Sequence, residues 1–166
     1  GVFDIAYCRL IPDLIISAPR NETELRNLLY TAQLGLDQPL IIRYPRGRGS
    51  QVEWKTPFEK TVIGKAECLQ QGTHIAVLTI GNMAVNASEA IKYYQGIGSI
   101  AHYDMKFVKP LDRDLLIKIF DKFEKIITIE DGVISGGFGS AILELAMQLD
   151  YKGKIEIMGV PDNFIE

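Results

Sequence analysis

The 166-residue sequence is poor in the side chains that most often bind metals or form cross-links. Its two cysteines, Cys8 and Cys68, are too few for a disulfide framework and favour a reducing compartment. Neither has an activating partner nearby in sequence, so we expect both to be buried packing residues. The only two histidines, His74 and His102, lack the spacing of metal ligands, and we expect no metal site.

Long hydrophobic runs and a strong charge of one sign are also missing. Apolar stretches such as Ile75–Ile80 are far shorter than the roughly 18 residues of a membrane-spanning helix, and no basic-then-apolar leader opens the sequence. The net charge is −3, and 47% of residues are hydrophobic, which is typical of a globular protein. We expect neither nucleic acid nor a membrane as a partner. Because the sequence starts at an apolar segment, we expect it to belong to a longer chain.

The composition changes near residue 50. Residues 1–50 contain six arginines, no lysine and five acidic residues (net +1), whereas residues 51–166 contain one arginine, eleven lysines and sixteen acidic residues (net −4). The stretch Gly47–Ser50 at this change is typical of a linker. The sequence therefore predicts two units, residues 1–50 and residues 51–166.

The first unit has the pattern of a single strand-helix-strand (βαβ) motif. Apolar runs at 13–18 and 39–44 predict strands. Between them, Asn21 and Glu24 have capping-box spacing, which predicts the start of a helix. Gly35 predicts the end of the same helix. The periodicity predicts that one helix face is buried: Leu25, Leu28, Leu29 and Ala32. Such a short unit makes a poor core alone, so we interpret it as the tail of a second α/β domain.

The second unit alternates strands with helices. Strands are predicted at 62–69, 75–80, 100–104, 126–130 and 154–159, with the first near an edge. Asn82 and Asp112 are expected to cap the first two helices, and Gly136–Ser140 leads into the third. This alternation predicts an α/β fold: a mostly parallel sheet with helices on both faces.

Two arginines form the sharpest local signal for binding. Arg43 and Arg46 flank Pro45 at the end of a predicted strand, where open parallel sheets bind ligands. Guanidinium groups suit phosphate or carboxylate, so these residues indicate an anion site. The alternative is that both are ordinary surface arginines before a linker.

Several other features carry weaker hypotheses. The glycine-rich segment Gly136–Ser140 precedes a helix and could hold phosphate on backbone amides, but we favour a tight turn with close approach of helix and strand. Glu130 and Asp131 could form an acid/base pair, although neighbouring acids at a strand end are more often solvated or helix-capping. Asp104 and Asp162 also lie at predicted strand ends, and we expect no catalytic role for any of these acids.

Together the motifs closely resemble the last third of the 1-deoxy-D-xylulose-5-phosphate synthase family, one of the transketolase-like enzymes. The resemblance covers essentially the whole sequence and depends on strings of residues in a fixed order: Gly1–Tyr7, Ala18–Glu22, Arg43–Gly47, Ile63–Lys65, Asp104–Asp112, Gly136–Ser140 and Gly159–Asp162. Transketolases and the β-chains of 2-oxoacid dehydrogenases share the architecture and part of the string at 104–112, but not the string at 43–47.

The resemblance implies a thiamine-diphosphate- and magnesium-dependent transferase that condenses pyruvate with glyceraldehyde 3-phosphate, releasing CO2, for isoprenoid, thiamine and pyridoxal synthesis. It implies a homodimer in the bacterial cytoplasm or, in a plant, the plastid. Residues 1–50 would end the pyrimidine-binding domain, and 51–166 would be the transketolase C-terminal domain. Arg46 would contact the acceptor's phosphate, and Arg43 would be its weaker, partly structural neighbour.

The sequence also departs from this family. The diphosphate- and magnesium-binding motif, the activating glutamate and the histidine before the Gly1 segment are absent, and Lys106 stands where arginine is more usual. We therefore expect this chain alone to be inactive, with no catalytic residue and no bound cofactor or metal. The alternatives are half of a split transketolase, a 2-oxoacid dehydrogenase β-chain, or a non-catalytic module of the same fold.

Overall fold

The computed structural model describes residues 1–49, 53 and 55–164, so Ser50 of the predicted linker lies outside the described residues. Within these described residues, the fold contains two sheets and five helices. The helices are α1 (Asp4–Cys8), α2 (Glu22–Gln33), α3 (Met83–Lys92), α4 (Arg113–Lys122) and α5 (Phe138–Gln148).

The larger sheet contains five strands, all of which the sequence predicts. They are β3 (Glu67–Gln70), β4 (Ile75–Thr79), β5 (Ile100–Asp104), β7 (Lys125–Val133) and β8 (Lys154–Val160). In the order β3-β5-β4-β7-β8, every neighbouring pair is parallel except the antiparallel edge pair β3-β5. The prediction of a mostly parallel sheet is confirmed.

Helices cover both faces of this sheet, as predicted. On β4, Ala76 and Leu78 point into the main core, which α4 and α5 complete with Leu116 and Ile142. The intervening Val77 points to the other face, where it packs with Ala87 of α3. Alternation of side chains along a strand covered on both faces explains the unbroken apolar run that marks β4 in the sequence.

A smaller sheet joins the two predicted units. It contains β1 (Ile15–Ser17) between the parallel β2 (Leu40–Ile42) and the antiparallel β6 (Phe107–Lys109). The sequence analysis missed β6, because three residues carry too little pattern to distinguish a strand from the turn before it. Phe107 is fully buried against Ile15 and Leu28, so residues from both sides of the linker share one core.

Two of the three predicted side-chain caps are present. Asn21 Oδ1 accepts a hydrogen bond from the Glu24 amide at 3.0 Å, and Asp112 Oδ1 accepts from the Leu115 amide at 3.3 Å. Asn82 occupies the cap position of α3 but makes no side-chain capping bond, because its own backbone is already helical. The prediction of a side-chain cap at Asn82 is therefore wrong, although α3 begins where expected.

The buried face of α2 also differs from the prediction. Leu28 is buried as predicted, but Leu29 is 52% exposed and Ala32 is exposed. Instead the helix buries Asn27 and Thr31, whose side chains accept hydrogen bonds from the amides of Glu59 and Thr61. A returning polar segment therefore covers a face that hydrophobic periodicity does not identify.

The edge strand β3 corrects two further expectations. The strand begins at Glu67 rather than near Val62, since Gly64 lies in a turn with φ of +72°. Cys68 is exposed rather than buried, because β3 pairs only with β5 and its outer residues face solvent. Cys8, in contrast, packs against the main core.

Candidate functional site

Three segments that follow strands meet at one groove of about 690 Å³, a volume suited to a small molecule. One wall is residues 19–22, after β1; the second is residues 44–49, after β2; the third is the start of α3, from Asn82 to Asn86. Gly81, at the foot of the third wall, has φ of +67°, and a side chain there would lie 3.3 Å from Ala18 Cβ. The first and third walls are thus packed closely together.

Arg46 lines this groove and is exposed to solvent. Arg48 of the same loop lines it as well, as does Arg20 of the first wall, and Glu22 is the acidic side chain among the residues that line the groove. The loop carrying both arginines is close to Glu22, since a side chain at Gly49 would overlap the Glu22 carboxylate. This arrangement can attract and hold an anion of small size.

Arg43 does not line this groove and is only 12% exposed. Its guanidinium lies 3.5 Å from Asp4 and 3.2 Å from Asp131 and donates to the Asp131 carbonyl oxygen at 2.5 Å. Arg43 therefore ties the end of β2 to α1 and β7. The carboxylate of Asp131 is used in this ion pair.

Glu130 lies inside β7 and is 3% exposed. Its two carboxylate oxygens accept hydrogen bonds from the amides of Phe138 and Gly139, each at 2.8 Å. Burial raises the pKa of Glu130, and these two amides oppose that rise. The amides at the start of α5 are thus bound by Glu130, so the structure does not support a phosphate site in the Gly136–Ser140 segment.

Behind the first wall of the groove lies a charged cluster of five side chains: Arg20, Glu24, Glu67, Asp104 and Lys106. The Arg20 guanidinium lies 3.2 Å from both carboxylate oxygens of Glu67 and 3.4 Å from Asp104 Oδ2. The Lys106 ammonium lies 2.6 Å from Glu67 and 3.3 Å from Glu24. The cluster therefore connects α2 to β3 and to the end of β5.

Three carboxylates and two cations leave this cluster with an excess of acid. Asp104 is fully buried, and burial together with the nearby Glu24 raises its pKa to about 7, against the opposing effect of Arg20. For Glu67, burial favours a higher pKa, but Lys106 and Arg20 lower it overall. A proton is therefore held most readily on Asp104.

His102 is buried in β5 away from the groove. Its ring nitrogens lie 2.9 Å from Thr79 Oγ1 and 3.1 Å from Ser88 Oγ, and burial, followed by the charge of Arg20, lowers its pKa to about 4. Asp162, the last of the acidic residues that the sequence places at strand ends, is exposed to solvent.

Among residues 1–49, 53 and 55–164, no group of three or more His, Cys, Asp or Glu side chains is placed to bind a metal ion. None of the helices described is both long enough and apolar enough to cross a membrane.

Comparison with known proteins decides the family. The model of the transketolase C-terminal domain matches residues 64–166, which form more than half of the chain. The chain belongs to the transketolase C-terminal domain family. This assignment covers all five strands of the larger sheet and the helices on both its faces.

Curated relatives extend the likeness over the whole chain. A 1-deoxy-D-xylulose-5-phosphate synthase of Phocaeicola vulgatus is 51% identical over 168 residues, and one of Bacteroides fragilis is 52% identical over 169 residues. Both alignments cover 100% of this chain but only 27% and 26% of the relatives, in their C-terminal part. The chain thus spans about a quarter of the relatives' length.

Solved structures agree with this transketolase fold. A structure described as "Split gene transketolase, inactive beta4 tetramer" superposes with a TM-score of 0.88 at 27% identity, covering 100% of this chain and 54% of that one. A transketolase from Leishmania mexicana superposes with a TM-score of 0.63 at 16% identity, covering 92% of this chain and 25% of that one, which supports the fold alone.

The sequence analysis placed Arg46 at a strand end but did not identify the rest of the groove or the charged cluster behind its first wall. Arg20 and Glu24 had a usable signal, since a charged pair precedes and opens α2 directly after β1. Glu67 and Lys106 had no such signal. They are brought to Arg20 only by the pairing of β3 with β5 and the turn after β5.

Proposed function

We propose that this chain is the C-terminal part of a 1-deoxy-D-xylulose-5-phosphate synthase, which condenses pyruvate with glyceraldehyde 3-phosphate and releases CO2. The supporting observation is the position of Arg46, exposed on a groove at the ends of β1 and β2, in a chain about 50% identical to such synthases throughout. In this proposal the groove receives the phosphate end of the acceptor. The full enzyme is a cytoplasmic homodimer.

Arg46 supplies the chemistry that a phosphate needs. Its guanidinium presents paired N–H donors that match two phosphate oxygens, and its charge offsets that of the dianion. The ring of Pro45 fixes its own φ and so limits the directions in which the next residue, Arg46, can point. Arg48 adds a second positive charge to the same groove.

Arg43 has a different role in this proposal. Since Asp4 and Asp131 already bind its guanidinium, it supports the loop from behind rather than contacting the phosphate directly. A contact between Arg43 and the acceptor would require it to leave both carboxylates.

Thiamine diphosphate and a divalent metal belong to the proposed full enzyme, where the cofactor would supply the chemistry for transfer of the two-carbon unit. The residues described here do not fit a metal-diphosphate site, because none of their acidic or histidine groups is clustered for a metal. We therefore assign no cofactor contact and no step of the condensation to these residues.

Half of a split transketolase is the second candidate, favoured by the TM-score of 0.88 to a split-gene transketolase. The 27% identity to that structure is well below the 51% identity to the synthase, which favours the synthase. Donor choice separates the two, since both use phosphorylated acceptors but only the synthase uses pyruvate as donor.

The test is Arg46→Ala in the full-length enzyme, with Arg113→Ala as the matched control on an exposed site of α4, outside the groove. Loss of a charge-assisted contact of about 1.5–3 kcal/mol lowers kcat/KM for glyceraldehyde 3-phosphate roughly tenfold to hundredfold. The kcat/KM for unphosphorylated glyceraldehyde should be nearly unchanged, and the kcat/KM for pyruvate should fall less than that for glyceraldehyde 3-phosphate. Arg46→Lys should recover part of the loss.

Equal losses with both acceptors would show that Arg46 is structural and would refute the phosphate site. A full-length enzyme that forms no 1-deoxy-D-xylulose 5-phosphate from pyruvate would refute the synthase assignment itself.

A further inference from the structure

We infer that Arg20 is a positioning residue for the phosphate groove, acting on Arg46 through the first wall. This inference rests on the proposed function. Arg20 lines the groove, but its guanidinium is directed to the charged cluster behind the wall, where Glu24, Glu67 and Asp104 surround it. It is therefore placed to hold the wall rather than to contact the ligand.

The backbone of this wall is fixed at successive residues. The Ala18 amide donates to the Lys106 carbonyl oxygen at 3.0 Å, the Arg20 amide donates to Glu24 Oε2 at 3.0 Å, and Asn21 caps α2. The Arg20 side chain adds a link from the wall to β3 through Glu67. Residues 18–21 are thus attached to both sheets and to α2.

The wall in turn supports the loop that carries Arg46. Glu22 follows the fixed segment directly, and its carboxylate lies where a side chain at Gly49 would be. Residues 44–49 thus contact the wall next to the two groove arginines. A shift of residues 19–22 therefore changes the position of Arg46 without touching it.

Charge makes Arg20 the sensitive member of this arrangement. Without its guanidinium, Glu24 and Glu67 face the single ammonium of Lys106, and the cluster directly behind an anion-binding groove becomes more negative. Glu24 and Glu67 then repel each other at the first wall, and the wall loses its link to β3. The added negative charge and the lost link to β3 both weaken the binding of a phosphate, which is itself negatively charged. A neutral ligand is not repelled by the added charge.

The experiment is a double-mutant cycle of Arg20→Met and Arg46→Ala in the full-length enzyme, with Arg113→Met as the matched control. Arg20→Met should raise KM for glyceraldehyde 3-phosphate by roughly 3- to 30-fold, with little change in KM for pyruvate or for glyceraldehyde. In the Arg46→Ala background the same change should have almost no further effect. Arg20→Lys should restore part of the affinity, because it keeps the charge but loses the paired contact with Glu67.

Additive effects of the two substitutions, or equal losses for all three substrates, would overturn the inference. If Arg46→Ala lowers activity equally with the phosphorylated and the unphosphorylated acceptor, the proposed function fails first, which keeps the two failures distinct. Should Arg20→Met not fold, Arg20→Gln removes the same positive charge with a side chain that can still hydrogen-bond to Glu67. An unchanged KM for glyceraldehyde 3-phosphate in that variant would also refute the role of Arg20.

Discussion

Glu130 and Phe138 are joined by a buried hydrogen bond of 2.8 Å that crosses from the middle of β7 to the first residue of α5. The second Glu130 oxygen binds the Gly139 amide at the same distance, so one carboxylate satisfies two of the unpaired amides at this helix start. Gly137 makes the approach possible, because a side chain there would lie 2.3 Å from Glu130 Oε2. A carboxylate also interacts favourably with the positive end of the helix dipole.

The first prediction follows from this cap. Glu130→Ala should lower the free energy of unfolding by about 1.5–3 kcal/mol, the range for a hydrogen bond to a charged group, since two buried amides lose their acceptor. The measurement is urea unfolding followed by circular dichroism. The matched control is Glu156→Ala on β8, where the carboxylate is 62% exposed and lies 3.7 Å from Lys154. Equal losses for the two variants would contradict the capping role.

The second prediction concerns pH and Asp104. Its pKa of about 7 in the folded chain lies above the value of 3.8 expected for an exposed aspartate, so between these values the folded chain binds the extra proton. The contribution of Asp104 to stability is therefore fully present below about pH 4 and is lost as pH rises to 7. Asp104→Asn keeps the shape without the charge and should remove this loss.

The check is the urea midpoint of both proteins at several pH values from 4.5 to 7.5. The midpoint of Asp104→Asn minus that of the parent chain should increase with pH across this range. Parallel profiles would show that Asp104 does not change its charge there. Glu67 contributes with the opposite sign, because its lowered pKa means that its contribution to stability increases as pH rises. The parent chain combines both contributions, so the difference between Asp104→Asn and the parent chain isolates that of Asp104.

Local patterns in the sequence were sufficient for much of this fold. Alternation and unbroken apolar runs identified seven of the eight strands described, all but β6, and Asn21 and Asp112 identified two helix starts, because caps and strand faces are set by neighbouring residues. What the sequence could not reveal depends on distant residues. Arg43 is 88 positions from Asp131, and nothing local indicates that its guanidinium is bound there rather than free for a ligand.

The third prediction concerns His102. Its pKa of about 4 lies below the 6.5 of an exposed histidine, so in this interval the unfolded chain binds the proton and stability falls as pH decreases. In a proton NMR titration, the His102 ring signals, assigned with His102→Gln, should not shift between pH 7.5 and about 5.5. A shift centred near pH 6.5 would show that the ring is accessible to solvent.

The fourth prediction addresses how the two predicted units are connected. Trypsin should cleave the intact chain first after Arg46 or Arg48, which are exposed in the loop after β2. The two pieces should nevertheless remain associated, because β1 pairs with β6, and Ile16 and Ala18 are buried in the same core as Leu78 and Met105. Size-exclusion chromatography under native conditions should show a single species containing both pieces, which separate only in denaturant. Pieces that separate without denaturant would show that residues 1–46 fold independently of the rest, and that the pairing of β1 with β6 contributes little to stability.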